Sequence, residues 1–194
     1  MAVTKHGKLD IMMNNAGILT KKGRLSILDD EKAEFEHVLA VNVTGVFLGT
    51  KHAARAMNPA CQGSIISTAS VCSIMGGIAS HSYTASKHAV EGLMKNTAVK
   101  LGQHGIIVNF VSPYVVDTPL AKNFFGFDDK NIGSYFSNLV GRVLKAQDIA
   151  EAALYLASDE SKVSGHNLVV DGGFITGNSF LIEFRGVAVL VSRT

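Results

Sequence analysis

Short apolar, β-branched runs alternate with longer amphipathic runs along this chain, and that alternation constrains the fold more than any other feature. Leu9 to Ala16 reads as a strand that ends in the turn-forming residues Asn14 to Gly17. Asp29 to Val41 and Val43 to Met57 read as helices, the second closed by Asn58 and Pro59. Ser64 to Ser70 follows Gly63 as a second strand, and Ser82 to Gly102 is a long helix closed by Gly102 and Gly105. Ile106 to Ser112 is a strand stopped by Pro113, Gln147 to Ala157 an amphipathic helix, and Asn167 to Val170 a last strand. Strands separated by helices predict an α/β domain with a doubly wound, parallel, Rossmann-like sheet. Ligands of such sheets sit beyond the carboxyl ends of the strands. Asn14 to Gly17, Ser70 and Pro113 to Thr118 all fall at such ends.

Composition agrees with one buried sheet covered by helices. At 194 residues and 47% hydrophobic content the chain can bury a sizeable core. A formal charge of +2 without a basic run argues against nucleic acid as partner. The 7 histidines and 2 cysteines show no metal-ligand spacing, so no metal site is expected, and Cys61 and Cys72 read as reduced thiols. No apolar stretch approaches the roughly 20 residues that span a bilayer. Residues 1–7 lack the apolar core of a signal peptide. A soluble, cytoplasmic setting is the expectation.

The chemistry centres on Tyr83 and Lys87. Four residues apart on a helix, they share a face and can touch. A phenol beside an ammonium makes a proton donor and acceptor for neutral pH. Bringing tyrosine from about 10 to 7 takes roughly 4 kcal/mol of preferential phenolate stabilisation, and a fixed cation in a dry site supplies much of it. Alone, the pair also describes an exposed tyrosine lying on a lysine stem. Ser70 lies upstream at a strand end, with Ser67 and Ser73 as neighbours that could equally cap that end. Asn42 interrupts the helical pattern or caps the helix after it. Asn14 to Gly17 is also an ordinary strand-end turn, and Pro113 to Thr118 a Pro-led loop.

Taken in order and spacing, the runs around Asn14–Gly17, Asn42, Ser70, Tyr83–Lys87, Pro113–Thr118 and Asp171–Gly173 resemble the short-chain dehydrogenase/reductase family. The resemblance covers roughly residues 3 to 176. Locally, residues 82–90 and 108–121 are similar to the plant branch that contains secoisolariciresinol dehydrogenase, xanthoxin dehydrogenase and momilactone synthase. The resemblance implies an NAD(P)-dependent oxidoreductase of plant secondary metabolism that interconverts a secondary alcohol and a ketone. It makes Tyr83 the acid/base, Lys87 the group that lowers the tyrosine pKa and binds the nicotinamide ribose, and Ser70 the residue that holds the substrate oxygen. It makes the Asn42 carbonyl part of a water-mediated proton relay. The segment Asn14 to Gly17 then stabilises the central sheet and, through Asn14, Ala16 and Gly17, lines the adenosine side of the cofactor. Pro113, Val116 and Thr118 face the carboxamide and phosphates. NAD is the implied cofactor, with NADP the alternative, and a homotetramer the implied assembly.

Family members open with a strand, a Gly-x-x-x-Gly-x-Gly turn and a helix, and no such glycine pattern occurs in this chain. The expectation is an N-terminally truncated domain, residues 1–176, that starts near the family's fourth strand, followed by an atypical tail, residues 177–194. That tail carries a strand-like apolar run, Gly186 to Val191, which either pairs with another edge or packs loosely. Without the glycine-rich turn, the backbone N–H groups that hold a pyrophosphate are missing, and one apolar sheet edge is exposed. The alternative to an active enzyme is therefore a non-catalytic remnant that associates with full-length relatives, or an incomplete piece of an active one. Phe124, Phe125, Phe127, Tyr135 and Phe136 make residues 121–145 aromatic-rich. They either close over an apolar, polycyclic or phenolic alcohol or ketone, or simply pack on the body.

Overall fold

The computed structural model describes residues 2–20, 26–126, 141, 143–158 and 161–176. A short helix α1 (Ala2–His6) leads into strand β1 (Ile11–Asn14). Helix α2 (Lys32–Leu39), a π turn (Ala40–Thr44) and helix α3 (Gly45–Met57) run on without a break. Strand β2 (Gly63–Thr68), helix α4 (His81–Gly102) and strand β3 (Ile106–Pro113) follow. Helix α5 (Pro119–Phe125), helix α6 (Ala146–Ala157) and strand β4 (Asn167–Val170) complete the described part. The four strands pair in the order β1-β2-β3-β4, all parallel. The doubly wound α/β expectation holds. The predicted helix break at Asn42 does not occur: the residue sits inside a π turn that keeps the helix going, and single π turns of this kind gather at functional sites.

Strand alternation sorts the side chains into two faces. Ile65, Ala69, Ile106, Val108 and Phe110 point to α3 and α4 and join Val90, Met94, Ala53 and Met57 in one fully enclosed core. Phe110 and Ile65 are wholly buried, and each such side chain contributes about 1.5–3 kcal/mol through burial. Close approach of α3 to β1 depends on Gly49, where a Cβ would run into Asn14 Oδ1. Gly105 turns the chain into β3 at φ +66°, against the Cys61 carbonyl. On the opposite face α6 packs across β2, β3 and β4, and Ser64 Oγ donates to the Leu156 carbonyl at 3.3 Å. That face closes only partly. Ile11 on β1 is 49% exposed and Leu154 on α6 is 71% exposed. Both border a large cleft that runs over the carboxyl ends of the strands. Among the described residues no helix is long and apolar enough to cross a membrane, and no cluster of His, Cys, Asp and Glu could hold a metal ion.

Candidate active site

Helix α4 begins where the chemistry is needed. Ser80 caps it by accepting from the Tyr83 N–H at 3.4 Å, so the first turn, and Tyr83 with it, is fixed at the strand ends. One turn on, the Lys87 ammonium lies 5.3 Å from the centre of the Tyr83 ring. It donates to the Thr68 carbonyl at 2.8 Å, at the end of β2. An ammonium has three donors, and Lys87 lines the cleft. The next serine along the same chain, Ser70, ends in extended backbone, and its Oγ accepts from Cys72 N–H at 3.1 Å. Its carbonyl accepts from Ser73 Oγ at 2.8 Å, so Ser73 braces the loop rather than facing the cleft chemistry. Ser67 points the other way, with its hydroxyl on the Met94 sulfur and the Asn14 amide. Of the three serines, Ser70 lines the cleft beside Tyr83 and Lys87.

Asn42 is wholly buried and its side-chain amide is fully committed. Oδ1 accepts from Ile18 N–H at 2.8 Å, while Nδ2 donates to the Ile18 carbonyl at 2.9 Å and to Ser86 Oγ at 3.0 Å. Ser86 Oγ in turn donates to the Tyr83 carbonyl at 2.7 Å. One amide thus clamps the segment after β1 to the first turns of α4. Gly17 lies within this clamp: a Cβ there would stand 3.4 Å from Asn42 Oδ1 and 3.7 Å from Lys87 Nζ.

The cofactor positions divide. Ala16, Gly17, Pro113, Val116 and Thr118 line the cleft. Asn14 does not: its Nδ2 donates to Thr50 Oγ1 and Ser67 Oγ, both at 3.1 Å, on the far side of the sheet. The cleft residue is its neighbour Asn15, whose Oδ1 accepts from Thr68 Oγ1 at 2.8 Å. Period-two alternation from Met13 would have identified it, because Ile11, Met13 and Asn15 share the cleft face. Thr118 caps α5 by accepting from Ala121 N–H at 3.4 Å. Of the aromatic run, Phe124 and Phe125 reach the cleft in an edge-to-face pair at 4.9 Å; Phe127, Tyr135 and Phe136 lie outside the described residues, as does the 177–194 tail. Tyr114 and Cys72, which the sequence did not single out, also line the cleft.

Electrostatics depart from expectation in one respect. Burial holds the Tyr83 phenol well above its ordinary value; the charge of Cys72 adds to that, and the Ser70 hydrogen bond opposes it. Desolvation dominates, and the group that lowers the phenol is Ser70 rather than the lysine. Lys87 itself is lowered to about 8 by burial, with Cys72 pulling the other way, so it is mostly protonated at neutral pH. Burial also raises the Cys72 thiol, which makes it a poor nucleophile. The Tyr114 phenol is pushed up to about 12, again by burial first and Cys72 second. The site is a cleft of about 780 Å³, mostly apolar, with a phenol, a hydroxyl and a buried cation converging at one end.

The family model described as enoyl-(acyl carrier protein) reductase matches residues 1–175. The chain belongs to the short-chain dehydrogenase/reductase family. Several of its relatives are dehydrogenases. Secoisolariciresinol dehydrogenase of Forsythia intermedia is 55% identical over 188 residues, covering 94% of this chain and 68% of that protein. The mitochondrial borneol dehydrogenase of Lavandula x intermedia is 56% identical over 173 residues, covering 89% of this chain and 64% of the relative. The chain thus spans about two thirds of the length of these relatives. Among solved structures, ElxO with NADP bound superposes with a TM-score of 0.81 at 28% identity, covering 90% of this chain and 71% of that one. The family's nicotinamide cofactor suits the donor set of the cleft. A buried ammonium beside a glycine, whose missing side chain keeps the approach open, suits a ribose diol.

Proposed function

We propose that this chain carries the catalytic centre of an NAD(P)-dependent oxidoreductase that interconverts a secondary alcohol and a ketone on an apolar small molecule. The observation that carries the reading is the convergence of Ser70, Tyr83 and Lys87 at one end of an otherwise apolar cleft. Bound there, nicotinamide would supply or accept the hydride at carbon. Lys87 would hold the ribose hydroxyls; Ala16, Gly17, Pro113, Val116 and Thr118 would line the rest of the cofactor, with NAD the form expected. Ser70 would donate to the substrate oxygen and orient it. In ketone reduction the Tyr83 phenol gives its proton to that oxygen; in alcohol oxidation the phenolate takes it back. Because burial keeps the phenol protonated, reduction runs across neutral pH and oxidation gains speed as pH rises into the alkaline range. Asn42 serves the relay through its main-chain carbonyl, since its side chain is committed to Ile18 and Ser86.

Val71, Ile78, Leu120, Phe124 and Phe125 make the substrate end of the cleft apolar, which supports an alicyclic or polycyclic substrate with few oxygens. The names of the relatives, borneol and secoisolariciresinol dehydrogenases, point the same way. Exposed Phe47 and Leu48 on α3 and Val99 on α4 support a homo-oligomer. The test is a spectrophotometric screen of apolar secondary alcohols, borneol first, with NAD and NADP. Reduction of cofactor that disappears in Tyr83→Phe supports the reading; no turnover with any alcohol or ketone opposes it. The open flank at Ile11 and Leu154 favours a second reading, a chain that holds no cofactor alone and associates with full-length relatives. Co-purification with such a relative, without turnover by itself, would select that reading.

A further inference from the structure

We propose that the turn at Asp171–Ile175 is a positioning element of the candidate active site. It presses Phe174 flat on Tyr114 and thereby sets the backbone of residues 113–118 against the loop that carries Ser70. The turn is built with unusual completeness for a loop. Asp171 is only 6% exposed, and both carboxylate oxygens accept backbone protons at 2.8 Å, Oδ1 from Gly173 and Oδ2 from Ile175. Gly172 and Gly173 take φ of +62° and +84°, which residues with a Cβ avoid. The Asp-Gly-Gly sequence is thus what this backbone demands, and the outcome is a fixed direction for Phe174.

Phe174 uses that direction to stack on Tyr114, with ring centres 3.9 Å apart and planes 17° from parallel. Tyr114 follows Pro113, and its N–H donates to the Val170 carbonyl at 3.0 Å, directly before the turn. Backbone and side chain therefore tie the same residue to the same turn. Beyond it, Val116 bridges Leu144, and Asp117 N–H donates to the Leu144 carbonyl at 2.9 Å. Tyr114, Val115, Leu144 and Val71 form one buried apolar cluster, on which Phe174 and Ile175 pack. Val71 follows Ser70 in sequence, so the cluster joins the turn to the loop of the substrate-orienting serine as well as to residues 113–118.

The functional half of this inference rests on the reading that residues 113–118 hold a nicotinamide cofactor; the positional half does not. Hydrogen exchange of the full chain, followed by NADH titration of the same proteins, separates them. In Phe174→Ala, amide exchange over 114–118 is expected to rise about tenfold, the order for loss of a buried aromatic pair. Exchange in β2 and in the first turn of α4 stays unchanged, and Phe174→Tyr, which keeps the stack, exchanges as the parent does. Asp171→Asn moves in the same direction as Phe174→Ala. The NADH dissociation constant rises by a similar factor in Phe174→Ala and not in Phe174→Tyr. Exchange that rises evenly through the molecule, or not at all, overturns the proposal. Local loosening with unchanged NADH affinity overturns its functional half. A parent chain that takes no NADH refutes the cofactor reading, and exchange alone then decides the positional claim.

Discussion

The two sides of the sheet differ in how they are finished. On the α3–α4 side, the polar groups near the chemistry are tied into a closed network: Asn42 to Ile18 and Ser86, Ser86 to Tyr83, Lys87 to Thr68, and Asn14 to Thr50 and Ser67. On the α6 side, Ile11 and Leu154 leave apolar surface open along the cleft. The difference teaches that Tyr83 and Lys87 are positioned by a hydrogen-bonded core that does not involve the open flank, whereas the flank leaves apolar side chains exposed. Substitutions on the two sides should therefore behave differently.

The largest effect is expected at Tyr83. Tyr83→Phe removes one hydroxyl from a packed site and should lower turnover by about 10²–10⁴-fold, the usual span for a positioned acid/base, while the thermal midpoint stays close to the parent's. Steady-state rates beside a melting curve check this; a variant that keeps its rate would break the assignment. Next comes Asn42→Ala, which strands the Ile18 N–H and carbonyl and should cost about 2–4 kcal/mol in denaturant unfolding. A cost near zero would mean that the closed network is not what holds the catalytic side.

Lys87→Met should be of similar size and carries a pH signature. The folded chain holds this lysine at about 8 against an ordinary 10.5, so between those values the unfolded chain binds the extra proton and stability rises with pH. The buried charge costs roughly 3–4 kcal/mol below pH 8, a cost that fades toward pH 10.5. Above pH 10 the raised Tyr83 phenol works in the opposite sense, and stability falls as the unfolded chain releases a proton the folded chain keeps. Unfolding free energies of parent and Lys87→Met at pH 7 and 9.5 should therefore converge as pH rises. The smallest effect is expected on the open flank. Leu154→Gln, at a position 71% exposed, should change stability by no more than about 0.5 kcal/mol while reducing self-association in sedimentation. A larger loss would show that the flank is covered and part of the core.

Much of this was legible in the sequence, because parallel strands advertise themselves as β-branched runs with turn residues at their ends. Strands β2, β3 and β4, the order of the helices and the meeting of Tyr83 with Lys87 follow from that and from helical spacing, whereas only the family resemblance separates Ser70 from Ser67 and Ser73. What escaped depends on contacts between distant positions. The π turn at Asn42 has no proline or glycine to announce it; it exists because the Asn42 amide reaches Ile18 and Ser86. The Tyr114–Phe174 stack joins residues 60 positions apart. The upward shift of Tyr83 is a property of burial, which spacing alone does not report. Asn14 faces away from the cleft and Asn15 toward it, a distinction that strand alternation reports and a turn reading does not.

The central claim is that the cleft beside Tyr83 holds a nicotinamide cofactor through Lys87, and NADH titration of the purified chain tests it most directly. The chain has no tryptophan, so the reduced nicotinamide's own fluorescence is read without an indole background. The account predicts saturable binding that weakens at least tenfold, about 1.4 kcal/mol, in Lys87→Ala. No binding up to millimolar NADH, or equal binding by parent and Lys87→Ala, would contradict it.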